Sequence, residues 1–189
     1  RLEVFRTHGK IYKAPASQMF GVPIELIKKG NPEYALRQKG KVAELALGYQ
    51  GSTGALINMG ALDMGIPEED LPDIVSRWRE ANKRIRDLWY SMDNAAVQVI
   101  TQGGSVGING LLLAREYDYN QGTDCFTIQL PSGRKLYYVS PGIGENQWGN
   151  PSISYMGMDQ KTKRWKRIET YGGKLVENCV QALSLIHIS

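Results

Sequence analysis

The chain has little of what a secreted, membrane-spanning or metal-binding protein requires. Its two cysteines, Cys125 and Cys179, form neither a metal-ligand spacing nor a disulfide framework, so we expect two free thiols in a reducing compartment. Its two histidines give no site either, because His8 has no partner at ligand spacing and His187 lies in an unusual tail. No apolar run reaches the length of about 18 residues that suits a membrane span, and no signal peptide is visible. We therefore expect a soluble, cytoplasmic protein.

Several catalytic patterns are also missing. The sequence supports neither a Ser-His-Asp arrangement nor the GxxxxGK[ST] loop that cradles phosphates. Its aspartates fall in predicted turns or on polar helix faces, and we expect none of them to bind a metal: Asp63, Asp70, Asp73, Asp87, Asp93, Asp118, Asp124 and Asp159.

Length and charge set broad limits. A chain of 189 residues can bury one substantial core. Its 23 basic and 19 acidic side chains give a net charge of +4, which permits an anionic partner without requiring one.

Helical patterns fill the first part of the sequence. Asn31, Pro32 and Glu33 predict a helix start, with Asn31 as the capping residue, and this helix should end near residues 48–51. Apolar residues then recur at steps of three and four over residues 74–99, which predicts one continuous amphipathic helix.

From residue 103 the pattern changes to that of strands. Residues 143–151 read as a Gly/Asn loop, and a last helix should open near Tyr171. Helices followed by antiparallel strands predict the α+β class. The predicted strands cover residues 111–119, 126–130, 135–139, 153–158 and 164–169.

The most informative feature lies on the first long helix. Arg37, Lys41, Leu45 and Tyr49 are four residues apart, so each is rotated by only about 40° from the one before, in a stripe roughly 18 Å long. Two cations followed by an apolar and an aromatic side chain match the phosphates, sugar and base of a nucleoside triphosphate. The alternative is a solvated basic face followed by a helix end. Gly40, within the same helix, indicates bending or close approach of a neighbour.

This spacing, followed by a Gly-rich turn, resembles the nucleotide-binding helix in the fingers of family A DNA polymerases. Three further blocks match in the family's order. Residues 8–23 resemble the segment before that helix, residues 132–137 resemble the palm hairpin, and residues 171–182 resemble the later DNA-contacting helix in its tailed-phage form. The resemblance covers residues 1–183 and implies fingers-like helices over about 11–102 and part of a palm over about 103–183.

The resemblance also implies roles for single residues in dNTP binding. Arg37 and Lys41 would grip the triphosphate, and Lys41 would act in catalysis by charge or proton donation. Leu45 would lie against the deoxyribose, where the family usually has Phe or Tyr. Tyr49 would stack at the nascent base pair, and Tyr12 would lie near the phosphates.

A second group of residues is implied to bind DNA. Lys174, Asn178 and Gln181 share one helix face, which can donate hydrogen bonds to the minor-groove acceptors common to all base pairs. Arg134 belongs to the palm hairpin. The implied partners are primer-template DNA and dNTPs, with no membrane and no obligate protein partner, in the cytoplasm of an infected bacterium.

The family's chemistry needs Mg²⁺ held by carboxylates. The resemblance places the Asp-x-x-x-x-Glu block before residue 1 and the His-Asp-Glu block after Gln181, and both are absent from the sequence. We therefore expect a fragment of a polymerase that is inactive alone. Residues 184–189 resemble translated sequencing-adapter sequence and are set apart as non-native.

Two other functions remain open. A non-catalytic helical module that binds DNA by charge alone would give no special role to Leu45 or Tyr49. A single-subunit RNA polymerase shares the Arg-Lys-Tyr helix, but the hairpin and the block over residues 171–182 speak against it.

Overall fold

The computed structural model describes residues 12–119, 122–146 and 149–184. Helices occupy the first part of the chain and antiparallel strands the second, so the predicted α+β class is confirmed. The chain divides into two compact units, of which the first ends at Arg86 and the second begins at Asp87. His8, His187 and residues 185–189 of the adapter-like segment 184–189 lie outside the described residues.

The first unit is helical. Its core holds buried apolar side chains from several helices, including Leu47, Leu56, Leu71 and Trp78. Its elements are α1 (Lys13–Phe20), a 3₁₀ helix (Pro32–Ala35), α2 (Leu36–Leu47), α3 (Thr53–Asn58), a second 3₁₀ helix (Glu68–Asp70) and α4 (Leu71–Ala81).

The entry to α2 differs from the prediction. The chain turns at Asn31 as expected, with φ −97° and ψ 148°, but the residues from Pro32 first form a 3₁₀ turn. The Asn31 side chain makes no capping hydrogen bond, and instead its Nδ2 donates to the Leu26 carbonyl oxygen at 3.1 Å. Asn31 thus lies at the N-terminal cap position, as predicted, but without the side-chain hydrogen bond of a cap.

The single long helix predicted over residues 74–99 is two helices. α4 ends at Ala81, and α5 (Lys83–Gln102) begins after Asn82, which leaves helical geometry at φ −123° and ψ 40°. The Asn82 side chain donates to the Trp78 carbonyl oxygen at 2.8 Å and so takes an acceptor of the helix backbone. Apolar spacing continues across this break, so periodicity alone could not reveal it.

The second unit contains an antiparallel sheet in which each strand pairs with its neighbours along the chain. The order β1-β2-β3-β4-β5-β6 is a meander, and α6 (Gly172–Ser184) follows it. The strands are β1 (Ser105–Ile108), β2 (Leu111–Asp118), β3 (Thr123–Gln129), β4 (Lys135–Glu145), β5 (Pro151–Met158) and β6 (Trp165–Thr170).

One face of this sheet carries both helices of the unit. Arg115, Phe126 and Tyr138 are successive pairing partners and so share this face. The Arg115 guanidinium donates to the Ile100 carbonyl oxygen in α5, and the Tyr138 hydroxyl accepts from Asn178 of α6. Phe126 is fully buried between them.

Two parts of the strand prediction were wrong. β1 was not predicted, because four residues containing a glycine give little alternation. The predicted loop over residues 143–151 is too long at both ends, since β4 continues to Glu145 and β5 begins at Pro151. The pairing of β4 with β5 shifts in register between Val139 and Gly142.

Both cysteines are buried free thiols, as predicted. Burial raises the pKa of Cys179 to about 11 and also raises the pKa of Cys125, so both thiols are protonated near neutral pH. Within residues 12–119, 122–146 and 149–184, no helix combines the length and apolar character that crossing a bilayer requires.

Candidate functional site

Two of the predicted dNTP-binding residues, Tyr12 and Arg37, lie where α1 meets α2. α1 packs directly on α2 at Gly40, where a Cβ atom would lie 2.4 Å from the Tyr12 carbonyl oxygen and 2.8 Å from the Ala16 Cβ. Only glycine fits this contact without a shift of backbone. Gly40 is therefore a point of close approach, as the sequence indicated.

Tyr12 and Arg37 are brought together by this packing. The guanidinium carbon of Arg37 lies 5.5 Å from the centre of the Tyr12 ring, which is cation–π geometry. Both side chains are half-buried. Two residues chosen separately from the sequence therefore form one contact.

Lys41 and Leu45 follow on the next turns of α2. The buried side of α2 consists of Gly40, Val42, Ala43, Ala46 and Leu47. Because these positions lie on the opposite side of the helix, Arg37, Lys41 and Leu45 form its outer stripe. Leu45 is 50% exposed.

Tyr49, by contrast, is not on the helix. α2 ends at Leu47, and Gly48 keeps right-handed geometry while its N–H donates to the Glu44 carbonyl oxygen at 3.1 Å. Gln50 then adopts a positive φ of 70°. The half-buried Tyr49 side chain thus lies in a turn, and a helical stripe over all four predicted residues was wrong at its last member.

Three residues of α4 that the stripe did not include fix the surroundings of α2. Arg79 Nη2 donates to the Gly51 carbonyl oxygen at 3.1 Å, and Trp78 Nε1 donates to Glu44 Oε2 at 3.4 Å. Arg77 Nη1 donates to the Met19 carbonyl oxygen at 3.4 Å. These partners are 28 to 58 residues apart in sequence, so no local spacing signals them.

The predicted DNA-binding face of α6 is divided. Lys174 Nζ pairs with Glu177 Oε2 at 2.8 Å, and Gln181 Nε2 donates to Glu177 Oε1 at 3.0 Å. Asn178 is half-buried and donates to the Tyr138 hydroxyl at 3.0 Å. Lys174 and Gln181 are thus exposed around a shared carboxylate, while Asn178 is turned to the sheet.

Arg134 lies in the turn between β3 and β4 and contacts the end of α6. Its Nη2 donates to the Ala182 carbonyl oxygen at 3.0 Å. This bond ties the β3–β4 turn to α6. Arg134 therefore has a structural partner in addition to its predicted role.

The start of α6 is held by α5. The Gly172 N–H donates to Asp93 Oδ1 at 2.9 Å. A Cβ at Gly172 would lie 1.9 Å from the Trp89 carbonyl oxygen, so the two helices touch through backbone. Burial raises the pKa of Asp93, and the hydrogen bond from Gly172 opposes that shift.

The described residues do not offer a magnesium site. Within residues 12–119, 122–146 and 149–184, no three His, Cys, Asp or Glu side chains converge as metal ligands would. Mg²⁺ prefers several oxygen ligands in octahedral geometry. The residues described here do not fit that ion.

Comparison with known proteins gives one informative similarity. The chain is 51% identical over 184 residues to the DNA polymerase of Bacillus phage SP02. The match takes in 96% of this chain but 27% of that polymerase, so the chain spans about a quarter of its relative's length. No protein family model matches the chain, and no solved structure matches it.

Proposed function

We propose that this chain is part of a phage-type, family A DNA polymerase and that α2 binds the incoming dNTP. The observation that carries the proposal is the outer stripe of α2, where Arg37 rests against Tyr12 and is followed by Lys41 and Leu45. The similarity to a phage DNA polymerase over nearly the whole chain supports the same assignment.

Each residue of the stripe has a role that follows from its chemistry. Arg37 presents a planar cation suited to two phosphate oxygens, and the Tyr12 ring limits its orientation. Lys41 offers a compact charge one turn along, where negative charge develops as pyrophosphate leaves. Leu45 gives the sugar an apolar surface, and Tyr49 closes the site beside the base.

The second unit supplies contacts to primer-template DNA in this proposal. Lys174 and Gln181 are exposed on α6, where they can donate to minor-groove acceptors. Asn178 and Arg134, which already have partners in the sheet and helix, hold that surface in position.

Magnesium belongs to the complete enzyme in this proposal. Its ligands would be carboxylates outside the described residues, because the described residues do not fit this ion. The 189-residue chain by itself should therefore show no template-directed synthesis at any Mg²⁺ concentration. Robust primer extension by this chain would contradict that expectation.

The proposal is tested by replacing Lys41 in the full-length protein that contains this chain. Lys41→Ala should lower the single-turnover rate of dNTP incorporation far more than it weakens primer-template binding, since Lys41 is assigned to the triphosphate. Lys39→Ala is the matched control, because the Lys39 ammonium lies 5.9 Å from the centre of the Phe20 ring. A normal rate with weakened DNA binding in Lys41→Ala would overturn the role.

The same assay separates the two alternative functions. A module that binds DNA by charge alone would lose similar affinity with either lysine and would incorporate no nucleotide. A single-subunit RNA polymerase would extend with NTPs in preference to dNTPs on the same template.

A further inference from the structure

The sheet face opposite α5 and α6 carries a row of large exposed side chains. Met158 pairs with Trp165, and Val139 pairs with Met156. Because Tyr137 is two residues before Val139 and Met158 is two residues after Met156, the antiparallel register sets Tyr137, Met158 and Trp165 side by side across β4, β5 and β6. These three side chains are 61%, 48% and 57% exposed. We call these two aromatic side chains and the methionine between them the aromatic row.

A strongly basic hairpin borders this row. Residues 158–167, which form the β5–β6 turn and its flanks, contain five cations and one carboxylate. The single carboxylate, Asp159, is occupied by Lys166 Nζ at 2.5 Å and by the N–H groups of Lys161 and Thr162 at 2.8 Å each. The cations are all exposed: Lys161, Lys163, Arg164, Lys166 and Arg167.

On the sheet face opposite α5 and α6, the charge changes from positive at one end of the strands to negative at the other. In a meander the β3–β4 and β5–β6 turns lie at the same end of the sheet, so Lys135 is near the basic hairpin. Glu116 is neutralised by Lys135, whose Nζ lies 2.7 Å from its Oε1. The exposed carboxylates of Asp118 and Glu169 lie toward the opposite end. Positive charge is therefore concentrated where the aromatic row lies.

We propose that the aromatic row and the basic hairpin together bind single-stranded DNA. Bases stack on Tyr137 and Trp165, and the cations of the hairpin contact the phosphates between them. Exposed aromatic side chains on a sheet, beside a cationic edge, suit single strands because unpaired bases offer their flat faces. A duplex hides those faces within its own stack, so the row favours the single strand.

This inference rests on the proposed polymerase function for its source of single strand. A polymerase consumes a template that is unpaired ahead of the primer end, and this surface would hold such a strand by stacking and charge, without reading its sequence. The site is distinct from the stripe on α2 and uses none of its residues.

The test measures binding of fluorescein-labelled oligo(dT) by anisotropy, with the full-length protein that contains this chain. Trp165→Ala and Tyr137→Ala should each weaken binding about tenfold. Trp165→Phe should retain most of the affinity because the ring is kept. Tyr90→Ala is the matched control, since Tyr90 is 47% exposed on α5 and outside the row.

A second readout is the salt dependence of binding. Lys163→Gln and Arg164→Gln should each reduce the slope of log affinity against log salt by about 0.7 for a single strand. These variants leave the aromatic row intact, so they test the charge contribution even if an alanine variant fails to fold. A blunt-ended duplex should respond to the charge variants and not to Trp165→Ala.

Three results would overturn the inference. Unchanged oligo(dT) affinity in the Tyr137→Ala, Trp165→Ala double variant would show that the row does not stack on bases. If this double variant binds oligo(dT) normally but sediments with a different oligomeric state from the wild type, the row is assigned to contact with a second copy of the chain. Loss of the folded state on Trp165→Phe would show that the row is buried against the rest of the protein. None of these outcomes bears on Lys41, so the proposed function is tested independently by Lys41→Ala.

Discussion

The guanidinium carbon of Arg37 lies 5.5 Å from the centre of the Tyr12 ring, across the junction of α1 and α2. A cation over an aromatic ring gains about 0.5–1 kcal/mol at an exposed site and more when water is excluded. The contact restricts where the guanidinium can lie. In the proposed site this contact lets Tyr12 act as a support for Arg37, whereas the resemblance implied that Tyr12 lies near the phosphates.

Arg37→Ala should raise the apparent KM for dNTP and leave primer-template affinity nearly unchanged. A lost charge-assisted contact costs about 1.5–3 kcal/mol, which corresponds to roughly a 10- to 150-fold increase. Steady-state incorporation at varied dNTP concentration measures the effect in the full-length protein. Lys39→Ala, on the same helix, should leave the KM near that of the wild type. An equal rise of KM in the two variants would show that only the net charge of the helix matters and that Arg37 has no specific contact with the dNTP.

Tyr12→Phe and Tyr12→Ala separate support from direct contact. Phe keeps the aromatic face under Arg37 and removes only the hydroxyl, so its KM for dNTP should remain near the wild-type value. Ala removes the ring, and the KM should rise by less than it does in Arg37→Ala. A double-mutant cycle with Arg37→Ala should show that the two effects are not additive. A large effect of Tyr12→Phe would instead assign the hydroxyl to the phosphates.

Gly40→Ala should destabilise the first unit. The new methyl group would collide with the Tyr12 carbonyl oxygen and the Ala16 side chain, and overpacking of this kind costs about 1–3 kcal/mol. Gly54→Ala is the control, because Gly54 lies in α3 with no atom within 4 Å of a new Cβ. It should raise the free energy of unfolding by up to about 1 kcal/mol through helix propensity. Urea denaturation measures both, and a stabilising Gly40→Ala would refute the contact.

Local patterns predicted the elements better than their ends. The stripe on α2 and the strands around the Pro131–Gly133 turn follow from spacing and turn residues within a few positions. The break at Asn82 and the continuation of β4 to Glu145 depend on single hydrogen bonds and on strand pairing, which apolar spacing does not encode. Such features are set by tertiary context and so escape a reading of the sequence.

The candidate site shows the same division. Arg37, Lys41 and Leu45 could be chosen together because helical spacing places them on one face. The bonds from Arg79 to Gly51 and from Arg134 to Ala182 join positions 28 and 48 residues apart, and no pattern in the sequence connects them. Residues that hold a site in place are therefore harder to predict than residues that line it.

Asp93 should make the stability of the second unit depend on pH. Burial raises its folded-state pKa above the ordinary value of 3.8, so the folded state holds the proton more tightly than the unfolded state. The stabilisation due to that proton is fully present below about pH 3.8 and is lost as pH rises through the folded-state pKa. Asp93→Asn stays neutral, so the free energy of unfolding of the variant relative to the wild type should increase over that rise.

Chemical denaturation at a series of pH values measures this difference directly. Asn retains an oxygen that can accept from the Gly172 N–H, whereas Asp93→Ala leaves that buried donor without its partner and should cost about 1–3 kcal/mol at every pH. A difference between Asp93→Asn and the wild type that does not vary with pH would show that Asp93 is not the titrating group.

Leu45 offers a test of where the sugar lies. Its side chain is 50% exposed on the outer stripe of α2, one turn beyond Lys41, and it carries no hydrogen-bonding group. If it contacts the deoxyribose, it cannot replace the interaction that a dideoxynucleotide loses with its 3′-hydroxyl. A phenolic hydroxyl at the same position can supply a hydrogen bond in place of that lost interaction.

Leu45→Tyr should therefore increase the use of dideoxynucleotides relative to dNTPs in the full-length protein. A competition assay, with the two substrates present together on one primer-template, measures this ratio without depending on enzyme concentration. Leu45→Phe is the matched control, since it adds the ring and not the hydroxyl, and its ratio should stay close to that of the wild type. An equal increase in both variants would assign the effect to the ring. An unchanged ratio in Leu45→Tyr would show that Leu45 does not lie at the sugar, and the proposed placement of the nucleotide along α2 would be wrong.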